Sequence, residues 1–273
     1  VLTDPSWELF NATSKLYQAN GFEVFAFNPN EADKSARINV FAGLWLNDVI
    51  EIDKLCNSII MTKYWSDKEW IWNDWAVALL SILARCLVNH DANGLNLPNL
   101  NYLLMLFGED GSNIEDFILK NTFNPDDPED KTLFYAWMGL VTNHPKMLQT
   151  YCTIAKTALS QLNNPQVQQL LAENDIDMNN FRKKKTIIYL IIPSAEQDYW
   201  QFIVDMFYTR LFWQLMKELP GKQDNPVFCL LEEFWSSYIN NFQTVVNNIR
   251  KYQVSISIIL QSIAQITEKY KDS

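Results

Sequence analysis

Two rhythms of apolar and polar positions divide the chain. Short apolar runs stand near its two ends, and helix-period stripes fill its middle. Asp4 before Pro5 is a helix start, because a carboxylate can accept free amides and proline suits a first turn. That helix is expected to run to about Ala19 and to stop at Asn20-Gly21. Residues 22–27 then read as a short strand. A β-α-β opening of this kind implies a parallel pair.

Between about 44 and 180 the strand signal vanishes. Ser66 and Glu69 form a capping box, opening a helix to Leu87 with Trp70, Trp75, Leu79, Leu83 and Leu87 at helical spacing. Residues 97–107 form a second helix, ended by Gly108. Asp127-Pro128 starts one to about Leu140, Asn143 to Pro145 one to Leu162, and Asn164-Pro165 a short one. Roughly six to eight helices are expected here. Strands then return. Residues 186–192 are apolar without a break, as a parallel strand buried on both faces should be. Ser194 to Gln197 is a second capping box, opening a helix to about Leu219. A strand at 227–231, a helix to Lys251, a strand at 254–260 and a terminal amphipathic helix complete a β-α-β-α-β-α order. The predicted fold is α/β: one parallel sheet, built from 1–43 and 183–273, interrupted by an all-helical domain at 44–182.

Composition narrows the function classes. With 48% hydrophobic residues, ten Trp and sixteen Phe, large cores are affordable, and only seven glycines disfavour an all-β, turn-rich fold. The net charge of −10 does not suit a broad grip on a phosphate backbone, so weak or no direct DNA binding is expected, with basic proteins the better partners. Cys56, Cys86, Cys152 and Cys229 all lie in apolar runs and read as reduced, buried hydrophobes. No cysteine pair has metal spacing, and neither His90 nor His144 has a nucleophile partner in a recognisable elbow. The longest unbroken apolar run, 187–193, is strand-sized. The chain opens on what reads as a strand end running into a helix, so it is expected to be a piece of a longer protein.

The chemistry gathers near the C-terminus. The strand at 227–231 runs directly into Glu232-Glu233, and the next strand ends at Gln261. A carboxylate at the tip of a buried parallel strand can hold a Mg²⁺-bound water, and its neighbour can act as general base on an attacking water. A polar tip on the next strand can sense a terminal phosphate. A solvated glutamate pair and a surface glutamine fit the same letters. Arg250 can reach a neighbouring subunit's nucleotide, or simply complement a helix C-terminus. The run Arg182-Lys-Lys-Lys185 reads as a solvated linker or as a phosphate contact, and Trp65 and Trp72 lie partly off their helix's apolar stripe. The phosphate-cradling G-x-x-x-x-G-K-[ST] is not in residues 1–273; the single Gly-Lys, Gly221-Lys222, is followed by Gln223.

In this order the pieces resemble the TraG/TraD-like coupling proteins of conjugation and type IV secretion, over nearly the whole chain. Thr3-Asp-Pro-Ser-Trp-Glu-Leu9 is similar to that family's "D-P-K-G-E-L" and Gly21-Phe-Glu-Val24 to its "G-x-x-V". Ala36-Arg-Ile-Asn-Val-Phe41 is similar to its "N-P-F/L" lead-in to the helical insertion, and Trp70 to Leu80 to "W-x-x-x-A-x-x-L-L". Phe181 to Leu190 followed by Ile192-Pro193 is similar to the strand returning to the motor, Leu230 to Phe234 to "L-D-E-F", and Arg250 to Gln261 with Ala264-Gln265 to "R-x₁₀-Q-S-x-x-Q". Three departures stand out: Ser6-Trp7 for Lys-Gly, Glu232 for Asp, and Ser236-Ser237-Tyr238 where a glycine is expected. The resemblance implies a RecA-like motor domain, incomplete here, whose phosphate loop and membrane helices lie before Val1. It implies ATP and Mg²⁺ as cofactors, with this chain inactive alone, and a homo-hexamer at the cytoplasmic side of the bacterial inner membrane. It further implies an all-α domain that recruits relaxase–DNA or effector proteins for the secretion channel. On this resemblance Glu232 holds Mg²⁺, Glu233 is the base, Gln261 senses phosphate and Arg250 is a finger in trans. A non-catalytic docking module, or another phosphate-loop DNA pump, are the alternatives; the long helical insertion disfavours the second.

Overall fold

The computed structural model describes residues 1–64, 70–121, 124, 126–234, 237–239, 241–260 and 262. Five parallel strands form one sheet: β1 (Leu2–Thr3), β2 (Glu23–Phe27), β3 (Thr186–Leu190), β4 (Val227–Leu231) and β5 (Val254–Ile258). Their spatial order is β2-β3-β1-β4-β5. The β1 and β2 of the opening unit are parallel but are not neighbours, because β3, which returns after the insertion, lies between them and pairs with both. Five residues of β3 pair in register with β2, from Thr186 against Glu23 to Leu190 against Phe27. Hence β3 is buried along most of its length and reads as an unbroken apolar run. The aromatics of α1 (Glu8–Ala19) cover one face: Phe10 packs edge-on to Tyr189 at 5.2 Å, and Tyr17 to Phe22 at 5.0 Å.

The expected start of α1 is displaced. Residues 5–7 make a turn, Trp7 takes the cap position, and Glu8 is the first helical residue. Asp4 still satisfies the free amides, reaching in from outside: its carboxylate accepts the Phe10 N–H at 2.8 Å and the Leu9 N–H at 3.4 Å. The basic run 182–185 is not a free linker. Arg182 is buried and donates to the carbonyls of Asn225 and Tyr252, joining the lead-ins of three strands, while Lys183 pairs with Asp224 and Lys184 with Glu23.

The chain divides into two compact units, Val1–Ile38 with Asn174–Ser273, and Asn39–Glu173. Both divisions fall earlier in sequence than 43 and 182. Asn39 already donates to the Leu95 carbonyl among the helices, whereas Asp175 and Arg182 bond to the sheet unit. Within the sheet unit, Arg37 and Asp175 form a clasp at the neck of the insertion. The Asp175 carboxylate accepts the Arg37 backbone N–H at 2.8 Å and its guanidinium at 2.7 and 3.2 Å, and the Asp175 N–H returns a bond to the Arg37 carbonyl at 3.0 Å.

The second unit is all-helical among its described residues: α2 (Val49–Tyr64), α3 (Trp70–His90), α4 (Leu97–Phe107), α5 (Ser112–Asn121), α6 (Pro128–Val141), α7 (Pro145–Ala158) and α8 (Pro165–Ala172). The capping box at 66–69 lies outside the described residues. Helix α3 is the core of this unit, with Leu79, Leu80, Leu83, Ala84 and Cys86 fully buried and Trp75 stacked on Tyr151 at 6.0 Å. Its stretch Ile71–His90 is long and apolar enough to cross a membrane, although polar Asn73 and Arg85 interrupt the run, and 61% of the most apolar window is buried inside the protein. In the sheet unit, α9 (Gln197–Lys217) links β3 to β4, and the short α10 (Phe242–Asn248), continued by a 3₁₀ turn, links β4 to β5.

Candidate functional site

From β1 the chain runs toward one edge of the sheet, to β2; from β4 it runs toward the other, to β5. The adjacent pair β1 and β4 is therefore the point where the winding reverses, and parallel sheets bind ligands outside the C-terminal strand ends at such a point. Asp4 follows β1 there, and Glu232 and Glu233 follow β4. Thr3 ties the two tips together. Its Oγ1 accepts the Glu232 N–H at 2.6 Å and lies within 3.3 Å of the Leu230 carbonyl oxygen and 3.2 Å of that of Glu232.

Asp4 is fully buried, with its carboxylate spent on the first turn of α1. Glu232 is half-buried beside it. Partial burial raises its carboxyl pKa, and the carboxylates of Asp4, Glu233 and Glu8 raise it further. Glu233 sits in the left-handed backbone region, with φ 50°. Its carboxylate accepts the Ser194 hydroxyl at 3.2 Å, and its carbonyl accepts the Gln197 side-chain amide at 3.4 Å, so the start of α9 holds the turn. Deeper along α9, Gln201 donates to Asp205 at 2.8 Å and to Ser237 at 3.0 Å. The letters of Ser194 and Gln197 spell only a capping box, and their spacing carries no sign that they meet Glu233.

Arg250 is exposed in the 3₁₀ turn before β5, at the N-terminal edge of the sheet, and so is not gathered with the glutamate pair of its own chain. Gln261 lies outside the described residues. Among the described residues no three His, Cys, Asp or Glu side chains are grouped to enclose a metal. The donor set at the switch point is instead one or two carboxylates crowded by like charge. This fits Mg²⁺ held partly by water and phosphate, since that ion seldom takes an all-protein cage. A cavity of about 440 Å³ lies elsewhere on the sheet unit, lined by Tyr17, Phe22, Ile187, Phe228 and Leu230 among others, and none of these acids lines it.

The sequence matches the family described as type IV secretory system conjugative DNA transfer over residues 1–273. The protein VirD4 of Rhizobium radiobacter is 22% identical over 283 residues, covering 100% of this chain and 39% of that relative. The chain thus spans about two fifths of the curated relative it matches. Among solved structures, the unbound bacterial conjugative coupling protein TrwB lacking its N-terminal segment superposes with a TM-score of 0.67 at 12% identity, covering 98% of this chain and 57% of that one. TrwB with the non-hydrolysable ATP analogue ADPNP gives 0.68 at 11% identity, over 98% and 59% of the two chains. TrwB with ADP and Mg²⁺ gives 0.63 at 11% identity, over 98% and 65%. At these identities the likeness establishes a shared fold, a RecA-like α/β domain with an inserted helical domain.

Proposed function

The chain belongs to the type IV secretory system conjugative DNA transfer family, a TraG/TraD-like family of coupling proteins, and from that premise we propose that it works within an ATP-driven coupling protein. That protein recruits a relaxase–DNA complex or an effector protein and passes it to the secretion channel. The observation that carries the reading is the meeting of Asp4, Glu232 and Glu233 at the switch point of a parallel sheet. In this reading the unit that holds the sheet, expected from sequence over 1–43 and 183–273, is the nucleotide-binding domain, and the helical unit, expected over 44–182, is the domain that meets substrate.

Bound Mg²⁺-ATP supplies the phosphoryl group and the counter-charge for its transfer. Glu232 would hold the metal's water, and a divalent cation would relieve the raised pKa that partial burial and then the neighbouring like charges impose on it. Glu233, anchored by Ser194 and Gln197, takes the proton of the attacking water. Gln261 senses the terminal phosphate. Arg250, remote from its own chain's glutamates, serves a neighbour in a homo-hexamer at the cytoplasmic face of the inner membrane. The 273 residues contain no phosphate loop, so this chain provides the metal-and-water half of the site.

A second reading is a docking module without chemistry, favoured by Ser6-Trp7 and Glu232 where the resemblance places Lys-Gly and Asp. ATP binding and hydrolysis by the native protein carrying this chain, beside its Glu233→Gln variant and the 273-residue chain alone, separates the two. The motor reading expects turnover by the native protein, binding without turnover by the variant, and neither by the chain alone. An inert native protein transfers the case to docking. In either reading the acidic chain alone does not bind duplex DNA strongly; a salt-sensitive, submicromolar association would overturn that.

A further inference from the structure

Helix α4 is apolar on more faces than its fold requires. Leu100, Leu103, Leu104 and Phe107 are buried against the other helices of the unit. The opposite face, Tyr102, Met105 and Leu106, is 65%, 53% and 41% exposed. From Tyr102 to Phe107 no polar residue interrupts the helix. A helix that is apolar all round belongs in a fully covered setting, yet at 11 residues α4 is too short to span a bilayer. Tyr102 stands three and four residues before Met105 and Leu106, so the three side chains form one stripe along the axis.

Charge indicates what covers the stripe. The all-helical unit, 39–173, holds sixteen Asp and Glu against eight Lys and Arg, so −8 of the chain's net −10 resides there. From Glu109 to Asp130 there are eight carboxylates, seven of them exposed and Asp130 buried, and a single base, Lys120. Glu109 and Asp110, exposed, come directly after α4 and its Gly108 cap. We propose that the exposed face of α4, with the acidic segment that follows it, is the docking face for a basic amphipathic helix of a partner protein. A row of apolar side chains at helical spacing takes the apolar face of another helix; methionine suits such a contact because it fills irregular gaps, and tyrosine because it is large and loses little freedom on ordering. Glu109 and Asp110, exposed just beyond the end of the stripe, together with the negative charge of the unit, select a lysine- or arginine-rich flank and speed its encounter. The same charge repels nucleic acid and anionic lipid. This identifies the surface by which the helical unit would recruit substrate, and it rests on the recruitment reading above only for the partner's origin.

The test uses the 273-residue chain and three fluorescein-labelled synthetic peptides: a leucine–lysine amphipathic helix, a scrambled peptide of the same composition, and the amphipathic helix with glutamate for lysine. Fluorescence anisotropy should show binding of the first alone, weakened by salt. Met105→Asp should weaken it by about tenfold or more, and Leu106→Met should leave it near the original value. Both positions are exposed, and a thermal melt confirms that the variants fold. Equal binding of the scrambled peptide, unchanged binding by Met105→Asp, or no binding at all overturns the proposal. So does a chain dimer in sedimentation equilibrium, or binding to phosphatidylcholine vesicles, that Met105→Asp abolishes, because the occupant is then a second copy or a membrane. ATP turnover by the native protein is measured separately: turnover without peptide binding sinks the docking face alone, and peptide binding with no turnover leaves it standing.

Discussion

Trp7 occupies a backbone conformation with φ 65°, where glycine sits without cost and a tryptophan is strained by about 1 kcal/mol. The resemblance to a D-P-K-G-E-L segment places glycine at this position, and the turn geometry supplies a physical reason for it. The indole ring offsets the strain by packing edge-on to Phe10 at 6.2 Å. Glu232 carries a second local cost. Its folded pKa lies above the unfolded one, so folding favours its protonated form; that contribution is fully present below the unfolded pKa and is lost as pH rises through the folded value. Glu232→Gln is therefore expected to raise the melting temperature at neutral pH without divalent cations, and the gain should shrink toward zero below about pH 4. A neutral or lowered melting temperature at pH 7 would mean that the carboxylate is not crowded. Of these residues the acids were legible in the sequence, since apolar letters ran straight into them. The positive φ at Trp7 and Glu233 was not, because neither is a residue type that announces a left-handed turn.

Helix starts carried the clearest local signals. Asn96, Asp127, His144 and Asn164 each accept a backbone N–H of the first turn, and each is followed by a proline at the first or second helical position. Asp127-Pro128 and Asn164-Pro165 placed the starts of α6 and α8 for that reason, while the bounds of α4 were legible from its apolar run and Gly108. The sequence overran α7, whose last turn tightens into 3₁₀, and the helix before β5, which is short for the same reason. Strand neighbours were less legible than strands, since nothing in the letters of β3 says that it inserts between β1 and β2. Within α4 the two faces have opposite consequences. Leu104→Ala should cost about 2–5 kcal/mol in urea denaturation, as a core truncation does, while Met105→Ala should stay within about 0.5 kcal/mol. Equal costs would mean that Met105 is part of the packed core.

For the whole molecule, two compact units and an uneven division of charge follow from one chain that leaves the sheet at residue 38 and returns at 174. Alternating element types made the insertion legible; its limits were less so, because the lead-ins are irregular and only tertiary bonds decide which unit they join. The Arg37–Asp175 clasp makes a pH-dependent contribution. Its hydrogen bonds to Arg37 hold the Asp175 carboxyl below the usual range, so the contribution is present above the unfolded pKa and is lost as pH falls through the folded one. Both side chains are partly exposed, so Asp175→Asn should lower stability at pH 7 by only about 0.5–1 kcal/mol, and the difference should vanish below about pH 3. A difference that persists in acid would assign the effect to packing instead.

The same clasp brings two residues 138 positions apart to within one hydrogen bond. Seen from the sheet, the 135 residues between Ile38 and Asn174 are a detour with almost no net displacement. Such a detour is a cassette: a different helical unit could replace it at the same two joints without disturbing β1 to β5, so the two units are free to change at different rates.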